Sequence, residues 1–191
     1  MKYGFIKAAA ASPKLRVGDT LFNLEQAKSC FDKAEAMGAN VLVLPELFLS
    51  AYTCGDLFYS DKLLTASREA LTDLRDYTRG ARCVLAVGVP MRIQSKLYNC
   101  AAVLHDGRIL GLVPKVSLPN YSEFYEKRQF TSGEDYRGEA EIELGGERVP
   151  FGRGLLFCCR EMEDFVLGFE ICEDLWSPVP ESTALCLAGA T

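Results

Sequence analysis

The chain has 191 residues, 49% of them apolar and 25% charged, which suffices for one hydrophobic core and one globular domain. Its net charge of -5 comes with scattered lysines and arginines rather than a basic stripe, which argues against a nucleic-acid partner, and no apolar run approaches the roughly 20 residues of a membrane-spanning helix. The start, Met1 to Ala10, sets lysines inside a short apolar stretch instead of a signal peptide's uninterrupted core, so a cytoplasmic location is expected.

That stretch reads as an opening strand. Leu21, Leu24, Ala27, Cys30, Phe31, Ala34 and Met37 then recur at helical spacing, capped by Asp19 or Thr20 and ended by Gly38. Asn40 to Leu44 is a continuous apolar run of the kind buried on both faces, halted by Pro45 and followed at once by Glu46. A second helix is expected from Asp61 to about Arg79, with Leu63, Leu64, Ala70, Leu71, Leu74 and Tyr77 on one face. A second buried strand, Cys83 to Val89, ends at Pro90. This alternation predicts an α/β layered domain with a covered sheet.

Tyr98 to Leu104 and Arg108 to Val113 flank His105-Asp106-Gly107, whose Asp-Gly step signals a hairpin and places the only histidine beside an exposed turn. Residues 117–152 read as a long loop with a short strand or two, and a loop of that length in a compact domain is usually functional. Strands are expected at Leu155 to Cys159 and Phe165 to Ile171, then a short helix, Glu181 to Leu187. The stop at Gly189-Ala190-Thr191, where another strand should begin, reads as a truncation.

Eight cysteines form no Cys-x-x-Cys pair, so neither zinc nor any other metal is expected. Cys83, Cys100, Cys158 and Cys159 fall in strand-like runs and Cys30 and Cys186 in helix-like ones, where cysteine acts as a small hydrophobe. Cys172 differs, because the run Phe165 to Phe169 delivers it into a stretch of acids.

Ligands of α/β sheets bind beyond the carboxyl ends of strands. Three polar residues take that position after apolar runs: Glu46, Lys115 and Cys172. Each has a bland reading, as a surface acid, a solvated lysine and a small core residue. Together they suit covalent catalysis, since a thiol nucleophile needs a base and a positive charge for the oxyanion. With His105 committed to a hairpin, a carboxylate is left as the base.

Leu44-Pro45-Glu46-Leu47, Val113-Pro114-Lys115 and Glu170-Ile171-Cys172-Glu173-Asp174-Leu175-Trp176 resemble the three catalytic boxes of the nitrilase superfamily. Tyr52 to Phe58, Leu118 to Phe130 and Asp174 to Pro178 resemble, more narrowly, the amino-terminal glutaminase domain of glutamine-dependent NAD synthetases. The resemblance runs from residue 3 to the end and implies a four-layer αββα sandwich, here truncated at its C-terminal side, with residues 1–191 forming an incomplete glutaminase domain. It implies Glu46 as general base, Lys115 at the oxyanion, Cys172 as nucleophile, Glu126 supporting the lysine, and Tyr52, Tyr121, Phe124 and Glu173 shaping a glutamine pocket. No cofactor is implied for this domain; ATP, Mg and deamido-NAD belong to a C-terminal synthetase domain, the implied partner in a homo-oligomer. Taken alone, the chain is expected to be inactive. The rival expectations are a stand-alone nitrilase-type amidase acting on another small amide and a catalytically silent assembly module on the same scaffold.

Overall fold

A computed structural model describes residues 4–191, so the first three residues of the expected opening strand lie outside the described part. The elements are β1 (Ala8–Ala10), α1 (Thr20–Ala36), β2 (Val41–Val43), α2 (Asp61–Tyr77), β3 (Val84–Ile93), β4 (Lys96–His105), β5 (Arg108–Pro114), β6 (Glu141–Leu144), β7 (Glu147–Pro150), β8 (Phe157–Cys158), β9 (Val166–Leu167), α3 (Glu173–Trp176) and α4 (Glu181–Leu187). No helix among them is long and apolar enough to cross a membrane.

Strands β1 to β5 form one sheet in sequence order, parallel from β1 to β3 and antiparallel from β3 to β5. The parallel part follows from the helical crossovers α1 and α2, and the antiparallel part from tight turns. Asp19 caps α1 by accepting from the Phe22 N–H at 3.1 Å, and Gly38 ends it at φ 69°. Leu24, Ala27, Phe31 and Ala34 of α1 and Ala70, Leu71 and Leu74 of α2 pack with Leu42, Leu85, Val87, Val89, Ala102 and Leu104 in one core, which places both helices on one face of the sheet. Leu21 and Met37, on the apolar spacing of α1, are exposed.

Small residues mark the other face. A Cβ on Gly111 of β5 would lie 2.9 Å from Leu155 and 3.1 Å from Phe157, so the β8–β9 hairpin sits directly on it. Phe157 packs edge-on against Phe169, while the intervening Gly168 would press its Cβ to 3.0 Å from Leu185 of α4. Side chains alternate sides along extended chain. The layers therefore run helices, sheet, hairpin, helix.

Four expectations need correcting. Strand β3 runs through Pro90 to Ile93, because β2 pairs with it only as far as Ala86 and the proline occupies an unpaired edge where no donor is required. The last two strands shrink to two-residue pairings, since Phe157 and Cys158 meet only Leu167 and Val166, and Gly168 to Ile171 continue without a ladder. His105 is half-buried rather than exposed, being the last residue of β4 opposite Arg108. Cys158 and Cys186 are exposed, on faces of the hairpin and of α4 that no described residue covers, whereas Cys83 and Cys100 are fully buried as expected.

Candidate active site

Three chain segments converge beyond the strand ends. Lys115 follows β5 directly, and its backbone N–H donates to the Asn99 carbonyl at 2.8 Å, so β4 fixes where its side chain begins. That side chain is fully buried, which in an apolar core would be prohibitive for an ammonium. Two carboxylates answer it: Lys115 Nζ lies 2.7 Å from Glu46 Oε1 and 2.8 Å from Glu126 Oε1. Burial pushes the lysine pKa down, but the charges of Glu46 and Glu126 and their hydrogen bonds outweigh it, and the value ends above the ordinary one. The ammonium is thus permanent at neutral pH.

Glu46 reaches this point through a close approach of backbones. The Gly88 N–H donates to the Pro45 carbonyl at 3.2 Å and the Leu49 N–H to the Gly88 carbonyl at 3.2 Å. A Cβ on Gly88 would lie 2.2 Å from Leu47 N and 2.5 Å from both Glu46 C and Pro45 O, all backbone atoms that cannot yield separately. Gly88→Ala is therefore expected to push the Glu46 segment off β3 and to cost about 1–3 kcal/mol, read as a lower urea midpoint. An unchanged midpoint would show that the segment yields freely.

Glu126 sits in a 3-10 turn, Glu126–Arg128, inside the long loop. It is 4% exposed, accepts from the Tyr52 hydroxyl at 2.7 Å, and its second oxygen has no partner among the described residues. Burial raises its pKa, with Lys115 pulling the other way. Burial first, and then Glu126, raises that of Tyr52.

Cys172 lies at the N-terminus of α3 with φ 49° and ψ -98°, a conformation sparsely allowed to a side-chain-bearing residue and often found at functional sites. Leu47, beside Glu46, also has positive φ, 51°. Though Cys172 is exposed overall, desolvation is the largest cause raising its thiol pKa, followed by the Glu46 charge, with Lys115 pulling down. The charges of Glu46 and Lys115 both act on the thiol, which therefore lies near that pair and, with its pKa raised, rests protonated.

Of the residues expected to line a pocket, Tyr52 joins the buried group through Glu126. Tyr121, Phe124 and Glu173 form a separate rim: the Tyr121 hydroxyl meets both Glu173 carboxylate oxygens at 3.0 Å and its ring packs edge-on to Phe124 at 5.8 Å. Cys54, in the segment after Tyr52, is buried with its thiol donating to the Ser50 carbonyl at 3.0 Å, which leaves it occupied away from this group.

Sequence reasoning missed two residues. Asn99, 1% exposed in β4, donates through Nδ2 to Glu46 Oε1 at 2.5 Å. Its signal was a polar residue within an otherwise apolar strand. Asp174, 2% exposed, ties the segment after Lys115 to the one before Cys172. It stood in plain view two residues after the thiol, but nothing in the spacing told it from its neighbour Glu173.

A family model described as carbon-nitrogen hydrolase matches residues 7–188. The glutamine-dependent NAD(+) synthetase of Mycobacterium tuberculosis (strain ATCC 25618 / H37Rv) is 43% identical over 194 residues, covering 100% of this chain. The chain spans only 28% of that relative's length. The crystal structure of a glutamine-dependent NAD(+) synthetase from Cytophaga hutchinsonii superposes with TM-score 0.78 at 28% identity, over 88% of this chain and 28% of the other. An amidase from Nesterenkonia sp. has the same fold, with TM-score 0.70 at 21% identity over 97% of this chain and 62% of the other.

Proposed function

The chain belongs to the carbon-nitrogen hydrolase family, with the nitrilase-type α/β fold, and from that premise we propose that it is the glutaminase part of a glutamine-dependent NAD synthetase. The observation carrying the chemistry is a fully buried ammonium held between two carboxylates, one of which also raises the pKa of a nearby thiol. Identity to synthetases along the whole chain supports the substrate.

In this reading the Cys172 thiol attacks the side-chain amide carbon of glutamine while Glu46 takes its proton. The pKa direction requires such a base, because a thiol pushed up by desolvation and by Glu46 carries little thiolate at neutral pH. The electron pair of the carbonyl moves onto oxygen, where the Lys115 ammonium and the Glu173 amide N–H stabilise it. As the carbonyl re-forms, ammonia leaves with the proton held by Glu46, and a thioester remains. Water, deprotonated by the same carboxylate, attacks the thioester; glutamate departs and the thiol recovers its proton. Asn99, Lys115 and Glu126 keep Glu46 in place throughout. Tyr121, Phe124 and Glu173 edge the glutamine pocket, and the ammonia passes to an ATP-dependent synthetase domain that amidates deamido-NAD. Domain boundaries, cytoplasmic location and homo-oligomeric assembly belong to the same proposal.

Glu46→Gln separates this reading from an electrostatic role for the carboxylate alone. Glu46 raises the Cys172 pKa, so the amide should let the thiol ionise at lower pH and react faster with iodoacetamide near pH 8. Glutamine turnover should meanwhile fall by about 100- to 10,000-fold, the usual worth of a general base. Loss of both alkylation and turnover would mean that Glu46 only holds the fold.

A further inference from the structure

We propose that the Asp174 carboxylate is the positioning residue that sets the Cys172 sulfur against the Lys115 ammonium, by clamping the segments that follow β5 and precede α3. The proposal rests on the reading that Cys172 and Lys115 act on one substrate carbonyl, the sulfur at its carbon and the ammonium at its oxygen.

No ladder connects the two segments among the described residues. Lys115 is anchored to the five-stranded sheet by its own N–H to Asn99, and to the long loop by the Gly133 N–H, which donates to the Lys115 carbonyl at 2.8 Å. Cys172 has no such anchor: β9 ends at Leu167, and Gly168 to Ile171 run on without strand pairing. The conformation at Cys172, φ 49°, persists only where its surroundings over-determine it. Asp174 supplies that determination. Its Oδ2 accepts from the Ile171 N–H at 3.0 Å, immediately before the cysteine, while backbone bonds Asp174 N–H to Ile171 O and Leu175 N–H to Cys172 O, both 3.1 Å, close the turn after it. Its Oδ1 accepts from the N–H groups of Val116 at 3.1 Å and Ser117 at 2.6 Å, the two residues that follow Lys115.

A purely local role is too small for this pattern. Capping the one-turn α3 needs at most the bond to Ile171, whereas the other two reach 57 and 58 positions back along the chain. The acid type is also demanded. A carboxylate offers acceptors on both oxygens, whereas an asparagine has one acceptor and would turn an NH2 donor toward an N–H. At 2% exposure no solvent can substitute for the lost bond.

Asp174→Asn in the full-length protein tests the clamp. Cys172 is followed by iodoacetamide labelling of its own peptide across pH, beside kcat and KM for glutamine. The charged groups acting on that thiol are Glu46, Lys115 and Glu126, with the hydroxyls of Tyr52 and Tyr121 nearby. Burial and the Glu46 charge, which raise the thiol pKa, outweigh Lys115, which lowers it, and Glu46 lies 2.7 Å from Lys115, so drift of the sulfur away from this pair should move half-maximal labelling to lower pH. We expect labelling still to reach one equivalent per chain, with kcat about 100-fold lower and KM within about threefold, as for a displacement near 1 Å. Unchanged kcat with full labelling would overturn the clamp, as would a kcat loss wholly matched by a loss of labelled sites. Should the variant fold too poorly to assay, Ser117→Pro deletes one donor and leaves the carboxylate; kcat about 10-fold lower supports the clamp, and wild-type kcat overturns it. Turnover surviving in Cys172→Ala would instead overturn the underlying reading.

Discussion

Cys172→Ala in the full-length protein is expected to abolish glutamine hydrolysis, a loss on the order of 10⁴- to 10⁶-fold by the measure of other catalytic nucleophiles, while NAD synthesis from ammonium continues. Of the eight thiols, only that of Cys172 sits at a strained turn under the charges of both Glu46 and Lys115, and on the proposed mechanism alanine there deletes the atom that would form the thioester. Free ammonia needs no thioester. Cys54→Ala is the control, because its thiol is buried and occupied with the Ser50 carbonyl, and it should keep glutamine turnover. Loss of both nitrogen sources in Cys172→Ala would indicate misfolding, and loss of turnover in the Cys54 variant alone would move the nucleophile.

Lys115→Met is expected to cost both activity and stability. If Lys115 is the oxyanion donor proposed above, its removal should lower kcat by about 100- to 1,000-fold. The second effect is on the fold: Glu46 and Glu126 both contact the Nζ, so the neutral side chain leaves two carboxylates facing each other with no cation between them. Breaking a buried pair in this way costs about 3–5 kcal/mol, which urea unfolding would register. The double variant Lys115→Met with Glu126→Gln should recover part of that stability, since one of the stranded charges is gone, and none of the activity. Recovery of activity would place the oxyanion donor elsewhere.

Much of the fold was legible because its signals are local. The caps at Asp19 and Gly38, the apolar stripes of α1 and α2 and the Asp-Gly turn after His105 each act within a few residues. The bounds of α4 were read to the residue. What failed depended on neighbours. Pro90 looks like a strand end until β2 is seen to stop short of it, and Cys158 looks buried until its face proves uncovered. The site divides the same way. Glu46, Lys115 and Cys172 announced themselves by following apolar runs, but Asn99 and Asp174 are told from other polar residues only by what they bond, 53 and 57 or 58 positions away. Gly88 carries no sequence signal for its role, since its requirement is the Glu46 backbone 2.5 Å from an imagined Cβ.

The thioester is the one species that every part of this account requires. Full-length protein mixed with glutamine, quenched in acid within the first turnovers and digested, should yield a glutamyl adduct on the peptide carrying Cys172, and none when Cys172 is alanine. Steady turnover with no adduct on any cysteine, or an adduct on Cys54, would contradict it.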